Sequence, residues 1–144
     1  MRFMIIVKAN AESEAGVMPP ASLLAQMGAF HEELARAGVL LDGAGLKASA
    51  HGWRVAMAAD GQRRVIDGPF AETKELIAGY TLIQVRSRDE ALEWSRRFPN
   101  PVGEGCEAAI EVRQLYELED FATGAEAEPQ LQRFRDLDAR QPQA

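Results

Sequence analysis

The order of apolar segments along the chain restricts the possible folds more than any other feature of the sequence. Residues 2–9 are almost continuously apolar, which is typical of a strand covered on at least one face. Residues 22–37 carry an apolar residue at each turn of a predicted helix: Leu23, Met27, Phe30 and Leu34. Ser22 is a candidate cap for the start of this helix, and Gly38 suits the position just after its end. Residues 39–46 are then predicted to form a second strand.

The second half of the chain repeats the order strand, helix, strand. Residues 80–85 alternate bulky side chains as a strand does, and Ser87 begins a capping box at the start of the next helix. Pro99 ends that helix, and residues 108–116 form the last predicted core strand. Two strand–helix–strand units of similar length predict an α+β fold of the ferredoxin-like split βαβ type.

A hairpin is predicted between the two units. Residues 53–57 and 62–66 have strand character and flank Asp60-Gly61, a dipeptide that favours a two-residue turn. Residues 10–20 are rich in small and acidic side chains and end in two prolines, so they are predicted to form a loop. The expected fold is therefore a ferredoxin-like split βαβ with a hairpin insert.

One face of the predicted sheet has no partner within the chain. Two helices cover only one side of an antiparallel sheet, and the apolar side chains of the other side also need a cover. A second copy of the chain is the simplest cover, so the sequence predicts a homodimer.

Composition argues against several classes of function. The formal net charge is −6 and the pI is near 5.0, with lysine and arginine scattered, which argues against a nucleic-acid-binding surface. The single cysteine, Cys106, excludes an internal disulfide and a multi-cysteine metal site, and it is predicted to be buried. The first apolar run is too short for a signal peptide or a membrane span. We therefore expect a cytoplasmic protein without a metal site or membrane contact.

Residues 67–75, with the sequence DGPFAETKE, combine turn-forming residues, an aromatic side chain and several charges. Gly68 is held extended by the proline that follows it, and Pro69 fits the first turn of a short helix. Asp67 is then a candidate cap of that turn, and Phe70 is expected to hold the corner in the core.

This run resembles the signature of the DGPF proteins, a branch of the YCII-related family of small bacterial α+β proteins. The resemblance extends over about residues 1–116. It implies a dimeric α+β barrel in which two sheets pack together, and it implies no assigned reaction. We accordingly expect a YCII-related domain over residues 1–120, followed by an extension over 121–144 that forms a short helix or a disordered tail.

The second half of the signature contains the polar residues Glu72, Thr73, Lys74 and Glu75. These residues have two interpretations. Neighbouring charges perturb one another's protonation, which is typical of a binding or catalytic site. The same charges are also typical of a solvated surface or of salt bridges between subunits. Together with Phe70, these four residues are the candidate binding residues of the chain.

His31 is the best candidate for a general base, since an imidazole changes its charge near neutral pH. Asp67 and Asp42 are the acids with which it could pair, and the alternative is a structural histidine that makes one hydrogen bond. The resemblance implies a histidine–aspartate pair in some relatives. Alignment from Gly38 places that family histidine near Met27, one turn before His31. The candidate catalytic residues are His31 and Asp67.

The residues leave three hypotheses for function. The first is a small-molecule-binding homodimer with a pocket near the signature, which as an enzyme would be a lyase or isomerase without a metal or an organic cofactor. The second, implied by the resemblance, is a non-catalytic regulatory module associated with a sigma factor of the extracytoplasmic-function class. The third is a structural dimer in which the charged corner is only an interface. Whether the chain is an enzyme stays open.

Overall fold

The computed structural model describes residues 1–141 of the 144-residue chain. The strands in this part of the chain are β1 (Arg2–Lys8), β2 (Leu40–Gly45), β3 (Trp53–Met57), β4 (Arg63–Asp67), β5 (Ile77–Gln84) and β6 (Ile110–Gln114). The helices are α1 (Ala11–Glu14), α2 (Ala21–Arg36), α3 (Arg88–Arg96) and α4 (Glu128–Arg140). Short 3₁₀ turns lie at Ser49–His51, Thr73–Glu75 and Leu118–Phe121. The predicted α+β class is confirmed, with antiparallel sheets.

The main sheet has the strand order β2-β5-β1-β6, and every neighbouring pair is antiparallel. Ile5 of β1 lies opposite Thr81 of β5 on one side and opposite Val112 of β6 on the other. α2 connects β1 to β2, and α3 connects β5 to β6. The two halves of the chain therefore interleave within one sheet.

The core lies between this sheet and the helices α2 and α3. Its buried side chains form one cluster, which includes Phe3, Ile5, Phe30, Leu34, Val39, Ile83, Val85 and Ala91. The ring of Phe30 meets the ring of Trp94 edge-on at 6.2 Å between centroids, and that of Phe98 at 5.3 Å. Three of the four residues of the predicted helix stripe are buried, whereas Met27 is half-buried.

The sequence predicted three residues at helix ends, and the structure confirms two of them. The Oγ of Ser87 accepts a hydrogen bond from the Glu90 amide at 3.1 Å, so the predicted cap of α3 is confirmed. Gly38 follows α2 with a φ of +71°, which favours glycine. The prediction that Ser22 caps α2 is wrong, because Pro20 occupies the cap position and Ser22 lies inside the first turn.

β3 and β4 form a separate two-stranded sheet, as the hairpin prediction expected. The predicted two-residue turn is wrong, because Ala58 also pairs with Gln62, its amide donating to the Gln62 carbonyl at 2.9 Å. The Gly61 amide donates to the Ala58 carbonyl, and Gly61 has a φ of +89°. This is a three-residue loop in which a turn is followed by a left-handed glycine.

Segments outside the core depart from the predictions in two places. Residues 10–20 contain a helix, α1, because the Asn10 side chain accepts from the Ser13 amide and the Ser13 hydroxyl accepts from the Asn10 amide in return. The predicted loop is therefore wrong over Ala11–Glu14. Cys106 is exposed, not buried, because it lies in the connection between α3 and β6 rather than on a core element.

The extension after the last sheet strand contains α4, in which Leu131 is buried while Phe134 and Leu137 are more than half exposed. Part of the predicted tail, residues 142–144, lies outside the described residues. Across residues 1–141, no helix combines the length and the apolar character that crossing a membrane requires.

Candidate functional site

The signature forms the corner between the hairpin and β5. Asp67 is the last residue of β4 and lies opposite Trp53. The Gly68 amide continues the pairing by donating to the Gly52 carbonyl at 3.0 Å. The following 3₁₀ turn, Thr73–Glu75, begins after Glu72 and has no side-chain cap. The prediction that Asp67 caps this turn is therefore wrong, because the strand runs on to Asp67 and the turn starts further along the chain.

Gly68 lies against the turn that carries Ser49. A Cβ atom at Gly68 would lie 1.8 Å from the Ser49 carbonyl oxygen, so the close approach of the two segments requires glycine. The Oγ of Ser49 also accepts a hydrogen bond from the Phe70 amide at 3.0 Å. One serine thus contacts the corner through both its main chain and its side chain.

Ser49 is held in turn by Glu14 of α1. The Ser49 amide donates to Glu14 Oε1 at 3.0 Å, and the Ser49 hydroxyl donates to Glu14 Oε2 at 2.5 Å. These hydrogen bonds favour the carboxylate and lower the pKa of Glu14. Sequence analysis missed both residues, since 35 positions separate them and the only local signal is the capping box of α1.

We expect the hydrogen bonds between Glu14 and Ser49 to make the stability of the protein depend on pH. Because the pKa of Glu14 is lower in the folded state, its contribution is complete above the ordinary glutamate pKa and disappears as the pH falls through the folded value. Urea unfolding of the wild type and of Glu14→Gln, between about pH 3 and pH 7, should therefore give curves that converge at low pH.

Glu12 is the matched control, because it lies on the same helix, is exposed and takes no part in the Ser49 contact. Glu12→Gln should leave the free energy of unfolding nearly unchanged across the same range. A difference between the wild type and Glu14→Gln that stayed constant down to the lowest pH would contradict the role of the carboxylate.

Phe70 is half-buried, so the prediction that it is held in the core is wrong. Its ring lies below Arg54 of β3, with the guanidinium carbon 3.9 Å from the ring centroid. This distance is well within the range of a cation–π contact. Phe70 therefore lies near the surface, where the side chain of Arg54 covers its ring.

The remaining signature residues lie at the surface around the 3₁₀ turn. Thr73 is half-buried, while Glu72, Lys74 and Glu75 are exposed. Within residues 1–141, none of these three charged groups takes part in an ion pair. Both interpretations of these charges, a ligand site or an interface with another subunit, are compatible with this arrangement.

His31 connects α2 to the main sheet. Its Nδ1 lies 2.8 Å from the Met27 carbonyl, which can only accept, so Nδ1 carries the proton. Its Nε2 therefore accepts from the hydroxyl of Thr81, at 2.9 Å, in the neutral ring. Thr81 is only 2% exposed, and a Cβ at Gly43 would lie 3.0 Å from Nε2. The ring is thus enclosed by the edge of the sheet and has protein partners at both nitrogens.

The two candidate acids are not among the hydrogen-bond partners of His31. Asp42 instead accepts a hydrogen bond from the Tyr80 hydroxyl at 2.8 Å. This hydrogen bond, together with the negative charge of Asp42, raises the pKa of Tyr80. Asp67 lies at the end of the hairpin, and within the described chain its carboxylate forms no ion pair.

Two open grooves lie away from the signature. The larger, about 560 Å³, lies between the end of α2 and the start of α3 and includes Leu41, Arg86 and Glu90. The smaller, about 270 Å³, lies on the hairpin and includes Gln62 and Arg63. No signature residue lines either groove. In residues 1–141 there is also no group of three or more side chains that could hold a metal ion.

Comparison with known proteins identifies a family and individual similar proteins. The family described as the YCII-related domain matches residues 1–118. An uncharacterized protein of Rhizobium meliloti is 52% identical over 40 residues, which are 28% of this chain and 32% of that protein. The match thus spans about a third of the curated relative.

A solved structure of 5-chloro-2-hydroxyhydroquinone dehydrochlorinase from Burkholderia phenoliruptrix, in complex with 2,5-dihydroxybenzoquinone, has a TM-score of 0.40 to this chain. The two are 16% identical, and the match covers 81% of this chain and 95% of the other.

Proposed function

The chain belongs to the YCII-related family, and we propose that it is a DGPF-branch member that binds a small molecule as a homodimer. In this proposal residues 67–75 are the branch signature, and two copies pack their sheets into a dimeric α+β barrel. The strand order β2-β5-β1-β6, with α2 in the first crossover and α3 in the second, supports the ferredoxin-like split arrangement on which that barrel depends. The end of the family match at residue 118 supports a domain over 1–120, with 121–144 as an extension.

The observation that carries the binding proposal is the position of Arg54 over Phe70. One face of the guanidinium lies on the ring, and Arg54 as a whole is exposed. Within residues 1–141, no carboxylate forms an ion pair with it. A guanidinium of this kind can bind a carboxylate in its own plane through two parallel hydrogen bonds, or it can stack its second face on a planar anion. The ligand that fits this arrangement is a small, planar anion.

The rest of the signature supplies further polar groups for such a ligand. Thr73 offers a half-buried hydroxyl, and Lys74 adds a second cation beside it. Glu72 and Glu75 flank Lys74 and are candidate acceptors for ligand hydroxyl groups. Neither of the two grooves described above is lined by these residues, and in this proposal the pocket is closed by the second copy.

A catalytic form of the same proposal is a lyase or isomerase without a cofactor, in which His31 moves a proton. Its tautomer is suited to this role, since Nδ1 donates to the Met27 carbonyl and leaves the lone pair on Nε2. The substrate would have to displace the Thr81 hydroxyl from Nε2 before proton transfer. Asp67, the second candidate, would act as a charge at the edge of the pocket. The association with a sigma factor stays a prediction.

Titration of the isotope-labelled protein with benzoate, followed by NMR, tests the proposal. We expect shift changes at the Arg54 side chain and at the amides of Phe70 and Thr73, with acetate binding more weakly because it has no ring to stack. Arg54→Gln should weaken benzoate binding about tenfold or more, because it removes the positive charge and the planar guanidinium on which the ring stacks.

Arg88→Gln is the matched control, since Arg88 is exposed and lies at the start of α3, outside the signature and the hairpin. It removes the same charge and should leave the affinity unchanged. An equal loss of benzoate affinity in both variants would mean that benzoate binding depends only on the net charge of the protein. Shift changes confined to the groove at Arg86 and Glu90 would place the ligand elsewhere, and either result would contradict the proposal.

A further inference from the structure

One face of the hairpin is apolar and open to solvent. Trp53, Val55 and Met57 alternate along β3 and so point to the same face, and Val65 lies opposite Val55 on that face. Their exposed fractions are 65%, 41%, 65% and 63%. A two-stranded hairpin is marginal in water on its own, so an uncovered apolar face of this size favours a partner. We call these four residues the hairpin face.

The hairpin face carries one charge at each end. Arg63 lies opposite Met57 and Asp67 lies opposite Trp53, so β4 presents a cation, a valine and an anion in that order. The two charged positions are about 13 Å apart, from four residues at the rise of a strand. Neither charge takes part in an ion pair within the part of the chain that the structure describes.

We propose that the hairpin face packs on the hairpin face of a second copy of this chain. The two-fold axis of this contact lies between the two hairpin faces and runs perpendicular to the strands, at the level of the Val55–Val65 pair. Each strand of one copy therefore lies over the same strand of the other copy, with the opposite direction. Val65 then meets its own equivalent, and Asp67 meets the partner subunit's Arg63. Trp53 meets the partner's Met57, a favourable contact between an aromatic ring and sulfur.

The order of the charges selects this orientation. Rotation about an axis along the strands would instead place Trp53 over Asp67 and Met57 over Arg63. Both charges would then be buried against apolar side chains without a partner, which is costly. In reverse orientation the pattern is complementary to itself, and this self-complementarity is the reason to choose a second copy as the occupant.

This contact rests on the proposed homodimer and specifies one of its interfaces. Asp67 is the first residue of the signature, so in this contact the partner's Arg63 lies beside the start of the signature. Arg54 lies on the other face of β3, so the contact leaves the Arg54–Phe70 stack uncovered.

Charge reversal tests the contact. Asp67→Arg or Arg63→Asp alone places like charges face to face, and we expect the dimer dissociation constant to rise about tenfold or more in each. The double variant restores opposite charges and should return the constant to near the wild-type value. Sedimentation equilibrium measures the constant, and circular dichroism checks that each variant is folded. Arg64→Asp is the matched control, because Arg64 lies on the same strand but on its other face.

A second measurement does not depend on the charges. Val65→Cys in a Cys106→Ser background should give a covalent dimer with a short bis-maleimide, whereas Arg64→Cys in the same background should give little. A monomeric wild type would overturn both this contact and the proposed homodimer. A dimer that is insensitive to charge reversal, or a Val65→Cys variant that does not cross-link, would overturn the contact alone.

Discussion

Replacing Gly68 with alanine should destabilise the protein by about 3 kcal/mol or more, because the added Cβ would occupy the position of a main-chain oxygen. That Cβ would lie 1.8 Å from the Ser49 carbonyl oxygen and 2.6 Å from its carbon. Neither atom belongs to a flexible side chain, so the segment around Ser49 or the corner itself has to move. Denaturant unfolding measures the loss, which should be accompanied by changes at the Phe70 amide, since that amide donates to Ser49.

Gly52→Ala is the matched control for Gly68→Ala. A Cβ at Gly52 would face the same Ser49 oxygen at 3.6 Å, an ordinary contact distance, and its backbone is extended. The substitution should therefore cost little. If Gly68→Ala cost no more than Gly52→Ala, the two segments would not approach as closely in solution as the structure shows.

Replacing Phe30 with alanine should lower the free energy of unfolding by about 3–5 kcal/mol, as loss of a buried aromatic side chain does. Phe30 is only 5% exposed, and its ring contacts Trp94 of α3 and Phe98 just after it. The change removes the contact between α2 and α3 at the core, and the remaining side chains cannot close the cavity completely. Urea unfolding followed by tryptophan fluorescence would report both stability and the surroundings of Trp94.

Phe70→Ala is the comparison for Phe30→Ala, and the structure revises what the sequence predicts for it. A core position for Phe70 would imply the same loss of about 3–5 kcal/mol. Because the ring is half-buried under Arg54, we expect about 2 kcal/mol or less. Equal losses in the two variants would mean that Phe70 is as deeply buried in solution as Phe30, which a covering second subunit could cause.

The sequence by itself determined those features that depend on neighbouring residues. Helical spacing identified three buried residues of α2, and Ser87 identified the start of α3. The same holds for the hairpin, whose strands flank Asp60-Gly61. Each of these patterns has its cause within one or two turns of chain, so it can be recognised before the fold is known. The order of the elements then predicted the α+β class.

Only the tertiary structure decided what the candidate site residues contact. Ser49 binds Glu14 across 35 positions and Phe70 across 21, and His31 binds Thr81 across 50. Contacts of this length depend on how the elements pack, and no local period carries them. The sequence therefore located the signature correctly as a corner. It could not show that Ser49 holds the corner, that Arg54 covers Phe70 or that Asp67 ends a strand, because each of these depends on a packing partner distant along the chain.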